Sequence, residues 1–574
     1  MLANGNDGAE GLYYASTASA GTEVTSVGSV DNSHSPETLF QANYTANGLP
    51  NSFGYALATG SFAGLSLPLW TDSTDPNVAN DGCNDFTADL TGKIVLIRRS
   101  GCTFVTKAQS AIDAGASYVL FYNNFPGTII ASLDGSTIAA AGMVDPSTGA
   151  NFVSLLAVGD EVVLTFPTDV ELLIVSPGDV NTPTGGKMST FSTWNPSNEN
   201  SIKPVVCAPG GNILSTYLAS QGSYAVLSGT SMATPFIAGV VALYKQAKGK
   251  GTTPLIINAA LSSTAKPVKF NDGTNTSPFL TSIAQQGGGL VDAYHMIYAG
   301  IAVTETNIAL NDTRHHVSNA AFDVQNLGTA TQTYTLTHQP AANAYAFDLT
   351  NTDLVAAFPP PLDTKYSSVT IFPPILSLEH GQKKRVTIVV LPNPSLNTSL
   401  VPVYSGYINI TSSLTTESIS IPYLGVATVM NNITILASDA SWPDFNDSLA
   451  VSTNDSTSTF KPSSQSFPVL YWNTRWAMAE VRLDVLSTNP FLNKIRAAGL
   501  STYGSVSGYP LRWQPRGVAG QVTGAEWNGT LADGRKAVSG NYKFVLRFAK
   551  GFGDLNRGRE FESYESEAFA MDMS

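Results

Sequence analysis

The stretch that decides the fold is "LSGTSMATPFIAGVVAL", residues 227–243. A polar turn containing Gly229 runs straight into an apolar helical pattern. The periodicity predicts a helix over residues 232–247, with Pro235 tolerated in its first turn. Ser231 stands at the junction. Taken on its residues alone, that serine has two meanings. It is a helix N-cap, a commonplace role for serine. Or it is a nucleophile at a helix N-terminus, and then something must take its proton. The segment is not the G-x-S-x-G elbow, because Ala233 occupies the second glycine position.

The rest of the chain narrows the setting. At 574 residues it is too long for one core. Its composition, 43% hydrophobic and 13% charged, suits folded β-rich domains. A net charge of −13 argues against a nucleic-acid partner, which would need basic patches. No apolar run is long enough to span a bilayer. "EVTSVGSVDN", residues 23–32, reads as a strand. "GKIVLIRRSGCTF" followed by "VTKAQSAIDAGASYVLFYNN", residues 92–124, reads as strand, helix and buried strand, the helix stopped at Gly115. Helices return at "PLIINAALSSTA" (254–265) and "GGGLVDAYHMIYAG" (287–300). Beyond residue 300 short alternating strands predict a sandwich. A polar linker at 436–466 leads to a last β-rich stretch with a turn at Trp527–Gly534.

"SGTSMATPFIAGVVAL" closely resembles the nucleophile segment of the subtilisin-like serine proteases (subtilases, peptidase S8). The resemblance implies that Ser231 is the nucleophile and that its N–H helps hold the oxyanion. "GNDG", residues 5–8, resembles the turn that carries the family's oxyanion-hole asparagine, which assigns that role to Asn6. The run "STFSTWNPSNENSIKPVVCAPGGNIL" is also family-like. It departs at Asn195, where glycine is usual, and at Val205; Asn4 likewise replaces a small residue. Residues 50–155 resemble an inserted protease-associated (PA) domain, and residues 301–430 a fibronectin-III-like sandwich. The implied organisation is catalytic domain at 1–34 and 181–300, PA insertion at 35–180, sandwich at 301–430 and a C-terminal β-rich domain at 431–574. The implied catalytic fold is α/β, part of a doubly wound parallel sheet.

The family's base and orienting acid find no counterpart. None of the six histidines (34, 295, 315, 316, 338 and 380) has the family setting or precedes Asn6, and no aspartate precedes it either. The reading is therefore of an N-terminally truncated, weakly active or inactive endopeptidase acting on proteins or peptides. Its alternative is a non-catalytic extracellular binding protein built on the PA and sandwich modules.

Cys83 and Cys102 bracket a strand; they are either a disulfide or two buried thiols. Sequons at Asn43, Asn275, Asn311, Asn397, Asn409, Asn432, Asn446, Asn454 and Asn528 suit a secreted or cell-wall glycoprotein, although the first residues carry no signal peptide. No cofactor or metal motif is present. "PDFNDS", residues 443–448, is better read as a solvated turn than a calcium site. A monomer is expected.

Overall fold

The structure, a computed structural model, describes the chain except for residues 16–17, 125–126, 130, 169–171, 177–179, 219–223, 250, 352–353, 416, 437–448, 453–458 and 518–521. Asn446, Asn454 and the 443–448 turn lie outside the described residues. The chain divides into two compact units, Met1–Asp31 with Gly186–Gly211 and Gly229–Ser574, and Asn32–Gly185 with Asn212–Ser228.

The first unit begins with a three-stranded parallel sheet. Ser26–Asp31 lies in the middle, flanked by Leu2–Ala3 and Val206–Gly211, with Leu2 opposite Ser26 and Val206 opposite Val27. Parallel strands need a covered face, and the helix Thr230–Lys248 supplies one. Its Ala233, Ile237, Val240, Val241 and Tyr244 recur at helical spacing and bury against Val27, Val206 and Ala208. On the opposite side of the helix, Phe236 and Leu243 are 48% and 53% exposed, because the described residues cover only the face turned to the sheet.

This helix starts two residues earlier than the periodicity predicts. Pro235 is therefore its sixth residue, beyond the first turn, and cannot give the Ser231 carbonyl its helical amide partner. The helix expected over 287–300 is also shorter, only Ala293–Tyr298, with Asp292 as its side-chain cap. Its entry glycines do other work. A Cβ at Gly287, Gly288 or Gly289 would collide with the carbonyls of Pro204, Ser262 or Lys266, so this segment is a close-packed crossing rather than helix.

Two sheets follow. One holds Ile301–Val303, Ala320–Asn326, Lys383–Leu391 and Ser368–Phe372; the other is built on Gln332–Tyr345, Pro402–Ser412 and Ser418–Val426. Residues Ala320–Asn326 alternate between buried and half-buried, the period-2 signature of a strand with one face inward. The last stretch is β as well, centred on the antiparallel pair Met478–Ser487 and Gly540–Ala549. One hydrophobic core runs through all of this, from Leu12, Tyr13 and Trp194 through Tyr407 and Tyr423 to Trp476 and Phe569. Tyr13 is fully buried, its ring 4.2 Å from that of Trp476, and Arg516 donates from Nε to the Leu12 carbonyl at 3.0 Å.

The second unit has an eight-stranded sheet that closes on itself, because Val162–Thr165 pairs with both Ser66–Trp70 and Glu37–Ala46. Ile94–Arg98, Tyr118–Tyr122 and Ala140–Val144 are parallel neighbours within it. The helix Phe104–Asp113 joins the first two, capped by the Thr103 side chain and ended at Gly115, whose φ of 91° suits glycine. Cys83 and Cys102 are bonded to each other. Gly149 on the second helix, Pro146–Ala157, packs directly against the Tyr122 ring.

Candidate active site

Three short pieces of the first unit meet at Ser231. The parallel strand Leu2–Ala3 delivers the turn that holds Asn6. The strand Val206–Gly211 ends beside the start of the helix, where the Gly229 N–H donates to the Gly210 carbonyl at 2.8 Å. Gly210 has no room for a side chain, since a Cβ there would press on Ser29 Oγ, the Gly229 carbonyl and Ala233. The helix then places Ser231 as its second residue, exposed and with no side-chain hydrogen bond among the described residues.

Asn6 and the helix terminus are locked together. The Asn6 side-chain carbonyl accepts from the Thr230 N–H at 2.9 Å and from the Thr230 hydroxyl at 3.0 Å. Thr230 Oγ1 in turn accepts from the Gly5 N–H at 3.2 Å. With its oxygen committed, Asn6 turns its amide nitrogen the other way. A Cβ built on Gly229 would lie 3.3 Å from Asn6 Nδ2 and 3.6 Å from the Ser231 nitrogen. These two nitrogens therefore border one space, and it is open because residue 229 has no side chain.

The helix terminus leaves one donor spare. The first amides of a helix have no partner within it. Here Thr230 N–H goes to Asn6 and Met232 N–H to the Gly229 carbonyl at 3.0 Å. The Ser231 N–H has no acceptor among the described residues. Two N–H donors and the positive end of a 19-residue helix thus face a common point beside a free hydroxyl. That arrangement suits an oxygen carrying negative charge.

Two of the three positions that depart from the family pattern, Asn4 and Asn195, find each other. Asn4 is fully buried and donates to the Thr193 carbonyl at 2.6 Å, while its Oδ1 accepts from Ser26 Oγ at 2.9 Å and from Asn195 Nδ2 at 3.1 Å. Across 191 residues of sequence, Asn195 donates to Asn4, while its own buried Oδ1 has no hydrogen-bond partner among the described residues. Thr230, Gly229 and this asparagine pair are the site residues that sequence reasoning missed. The threonine and the glycine lie in "SGTS" beside the serine, and the motif itself is the signal that marks them.

Four of the five histidines of the first unit are engaged elsewhere. His295 Nε2 lies 3.2 Å from Glu417 Oε1, and the hydrogen bond to this carboxylate raises its pKa. His315 contacts Asp312 at 2.8 Å, His338 the Tyr423 hydroxyl at 2.8 Å, and His380 the Gly328 carbonyl at 2.6 Å. Burial lowers the pKa of His338. The buried His316 Nε2 has no hydrogen-bond partner. His34 belongs to the second unit, exposed and 3.2 Å from Ser33 Oγ. Cys207 is buried and free, its thiol pushed upward by burial. Among the described residues no cluster of three histidine, cysteine or carboxylate side chains is set to hold a metal, and no helix is long and apolar enough to cross a membrane.

Residues 1–289 match the Subtilase family of peptidase S8, and residues 308–424 match an Fn3-like domain. The minor extracellular protease Vpr of Bacillus subtilis (strain 168) is 30% identical over 303 residues, covering 49% of this chain and 35% of that protein. The PII-type proteinase of Lactococcus lactis subsp. cremoris is 32% identical over 267 residues, 43% of this chain and 13% of that protein. The C5a peptidase of Streptococcus pyogenes serotype M1 is 28% identical over 392 residues, 64% and 31% respectively. The chain thus spans between 13% and 35% of the length of these relatives. The match over its first half, on the segments that bring Asn6, Gly229 and Ser231 together, places the chain in the subtilase family.

Proposed function

We propose that the first unit carries the nucleophile and oxyanion-binding half of a serine endopeptidase. Ser231 Oγ attacks a peptide carbonyl. Asn6 Nδ2 and the Ser231 N–H hold the oxygen that becomes negative, and an acyl-enzyme forms as the amine leaves. The observation that carries this reading is the double acceptance by Asn6 Oδ1, which leaves its amide and the free Ser231 N–H bordering one space. Proton removal from Ser231 requires a base, and each histidine of this unit but His316 is bonded to another partner. The 574-residue chain by itself is therefore expected to hydrolyse peptides very slowly.

The second unit is read as a PA-type insertion that shapes which protein substrates are held, and the protein as an extracellular monomer. Asn43, Asn275, Asn397, Asn432 and Asn528 are exposed, as glycan acceptors must be, whereas Asn311 and Asn409 are half-buried. The test is labelling with a fluorophosphonate probe, with and without added imidazole as a diffusible base. Imidazole-dependent labelling that disappears in Ser231→Ala supports the reading. Labelling that survives Ser231→Ala, or none under any condition, defeats it and leaves a binding role for the β modules.

A further inference from the structure

The second unit holds a cation where a structural disulfide has no need of one. Lys107, on the helix Phe104–Asp113, is completely buried. Helical side chains lean toward the N-terminus, and this one reaches back to the loop carrying Cys83. Its Nζ donates to the Asp81 carbonyl and lies 3.6 Å from Cys83 Sγ. Asp81 is itself buried, its carboxylate taken by the Arg98 N–H at 2.7 Å. Both cysteine residues are half-buried rather than enclosed in the core.

A disulfide sulfur is a poor acceptor, whereas a thiolate is stabilised strongly by a neighbouring cation. The lysine therefore makes the two sulfurs unequal as leaving groups. The helix N-terminus near Cys102 works in the opposite sense. It offers about half a charge that fades within a turn, against the Lys107 ammonium 3.6 Å from Cys83, whose charged form burial disfavours and Asp81 favours. Thiol–disulfide exchange is faster when the departing thiolate is better stabilised.

We propose that Cys102 is a site of mixed-disulfide formation with small thiols, and that Lys107 directs attack to it by stabilising Cys83 as the leaving thiolate. A thiolate attacks Cys102 Sγ and forms a new S–S bond. The Cys83–Cys102 bond breaks, and its electron pair stays on Cys83. A second thiol then releases Cys102 as a thiol and departs as the symmetrical disulfide, so two thiols are oxidised as one disulfide is reduced. The inference is independent of the peptidase reading.

The experiment treats the folded, full-length protein with reduced glutathione, quenches with acid, alkylates the free thiols and maps the adduct by mass spectrometry. Glutathione is expected on Cys102 over Cys83 by roughly tenfold, with the alkyl label on Cys83. Lys107→Met removes the preference and Lys107→Arg keeps it, with melting curves of the oxidised proteins reporting that each variant is folded. If Lys107→Met does not fold, the regiochemistry of the unaltered protein decides alone. An adduct mainly on Cys83, an even split, an unchanged ratio in a folded Lys107→Met, or a bond that resists glutathione until the protein is denatured overturns the proposal.

Discussion

Asn6→Asp separates the two jobs that Asn6 holds. The aspartate keeps an oxygen to accept from the Thr230 N–H and hydroxyl, now bonded at 2.9 and 3.0 Å. A carboxylate at a helix N-terminus is favoured by about 0.3–1 kcal/mol, so the melting temperature should hold or rise slightly. The donor facing the Ser231 N–H is lost. A hydrogen bond to a charged acceptor contributes about 2 kcal/mol. The new carboxylate also repels the developing oxyanion; at about 4 Å and an effective dielectric constant near 20 that repulsion is about 4 kcal/mol. Together these come to about 6 kcal/mol, or roughly 10⁴-fold in rate. The assay is the rate of imidazole-dependent fluorophosphonate labelling at Ser231, run beside a thermal melt. Asn6→Asp labelling at the unaltered rate would sink the oxyanion role. Parallel loss of labelling and of several degrees of stability would show that Asn6 only holds the helix start.

Other substitutions probe neighbouring links. Gly229→Ala adds a methyl 3.3 Å from Asn6 Nδ2 in extended backbone, φ 164°; urea midpoints should stay put while labelling falls by at least about tenfold, since the space both donors need is filled. Asn4→Ala orphans buried partners on Ser26, Asn195 and Thr193, at a cost of about 1–3 kcal/mol. Combining it with Asn195→Gly should cost less than the sum, and strict additivity in a double-mutant cycle would deny their coupling. Glu417 raises the pKa of His295, so the pair's contribution is fully present below the unfolded histidine value of about 6.5 and is lost as pH rises through the folded value. Chemical denaturation across that window should show stability falling as pH rises, and Glu417→Gln should flatten the slope. After secretion from a glycosylating host, peptide mapping should find glycans on Asn43, Asn275, Asn397, Asn432 and Asn528 ahead of Asn311 and Asn409.

The segment around Ser231 was legible because its signal is local: a polar turn, a serine and an apolar period of 3.6 lie within 17 residues. Asn6 was legible through its own short turn. What escaped depends on residues far apart in sequence. Asn4 and Asn195 were each legible only as oddities, since nothing local joins positions 191 apart. The helix expected over 287–300 shrank because its glycines serve close approach to other backbones, a demand invisible from one strand of sequence. Pro235 was misplaced for a simpler reason. The helix recruits Thr230 and Ser231, polar residues that hydrophobic periodicity does not count. Tyr13 gave no sign of its burial, because two adjacent tyrosines in a glycine-rich loop have no period to read.

The continuous core of the first unit has a practical consequence for how the molecule is cut. Family boundaries invite shortened versions ending near residue 289 or 424. Any such version removes Trp476 and Arg516, which hold Tyr13 and the Leu12 carbonyl only a few residues beyond Asn6. It exposes a buried tyrosine and releases the turn that orients the amide. The C-terminal β module is a rear brace for the turn that carries Asn6, and the smallest piece that keeps Tyr13 packed and the Leu12 carbonyl bonded is the unit as a whole.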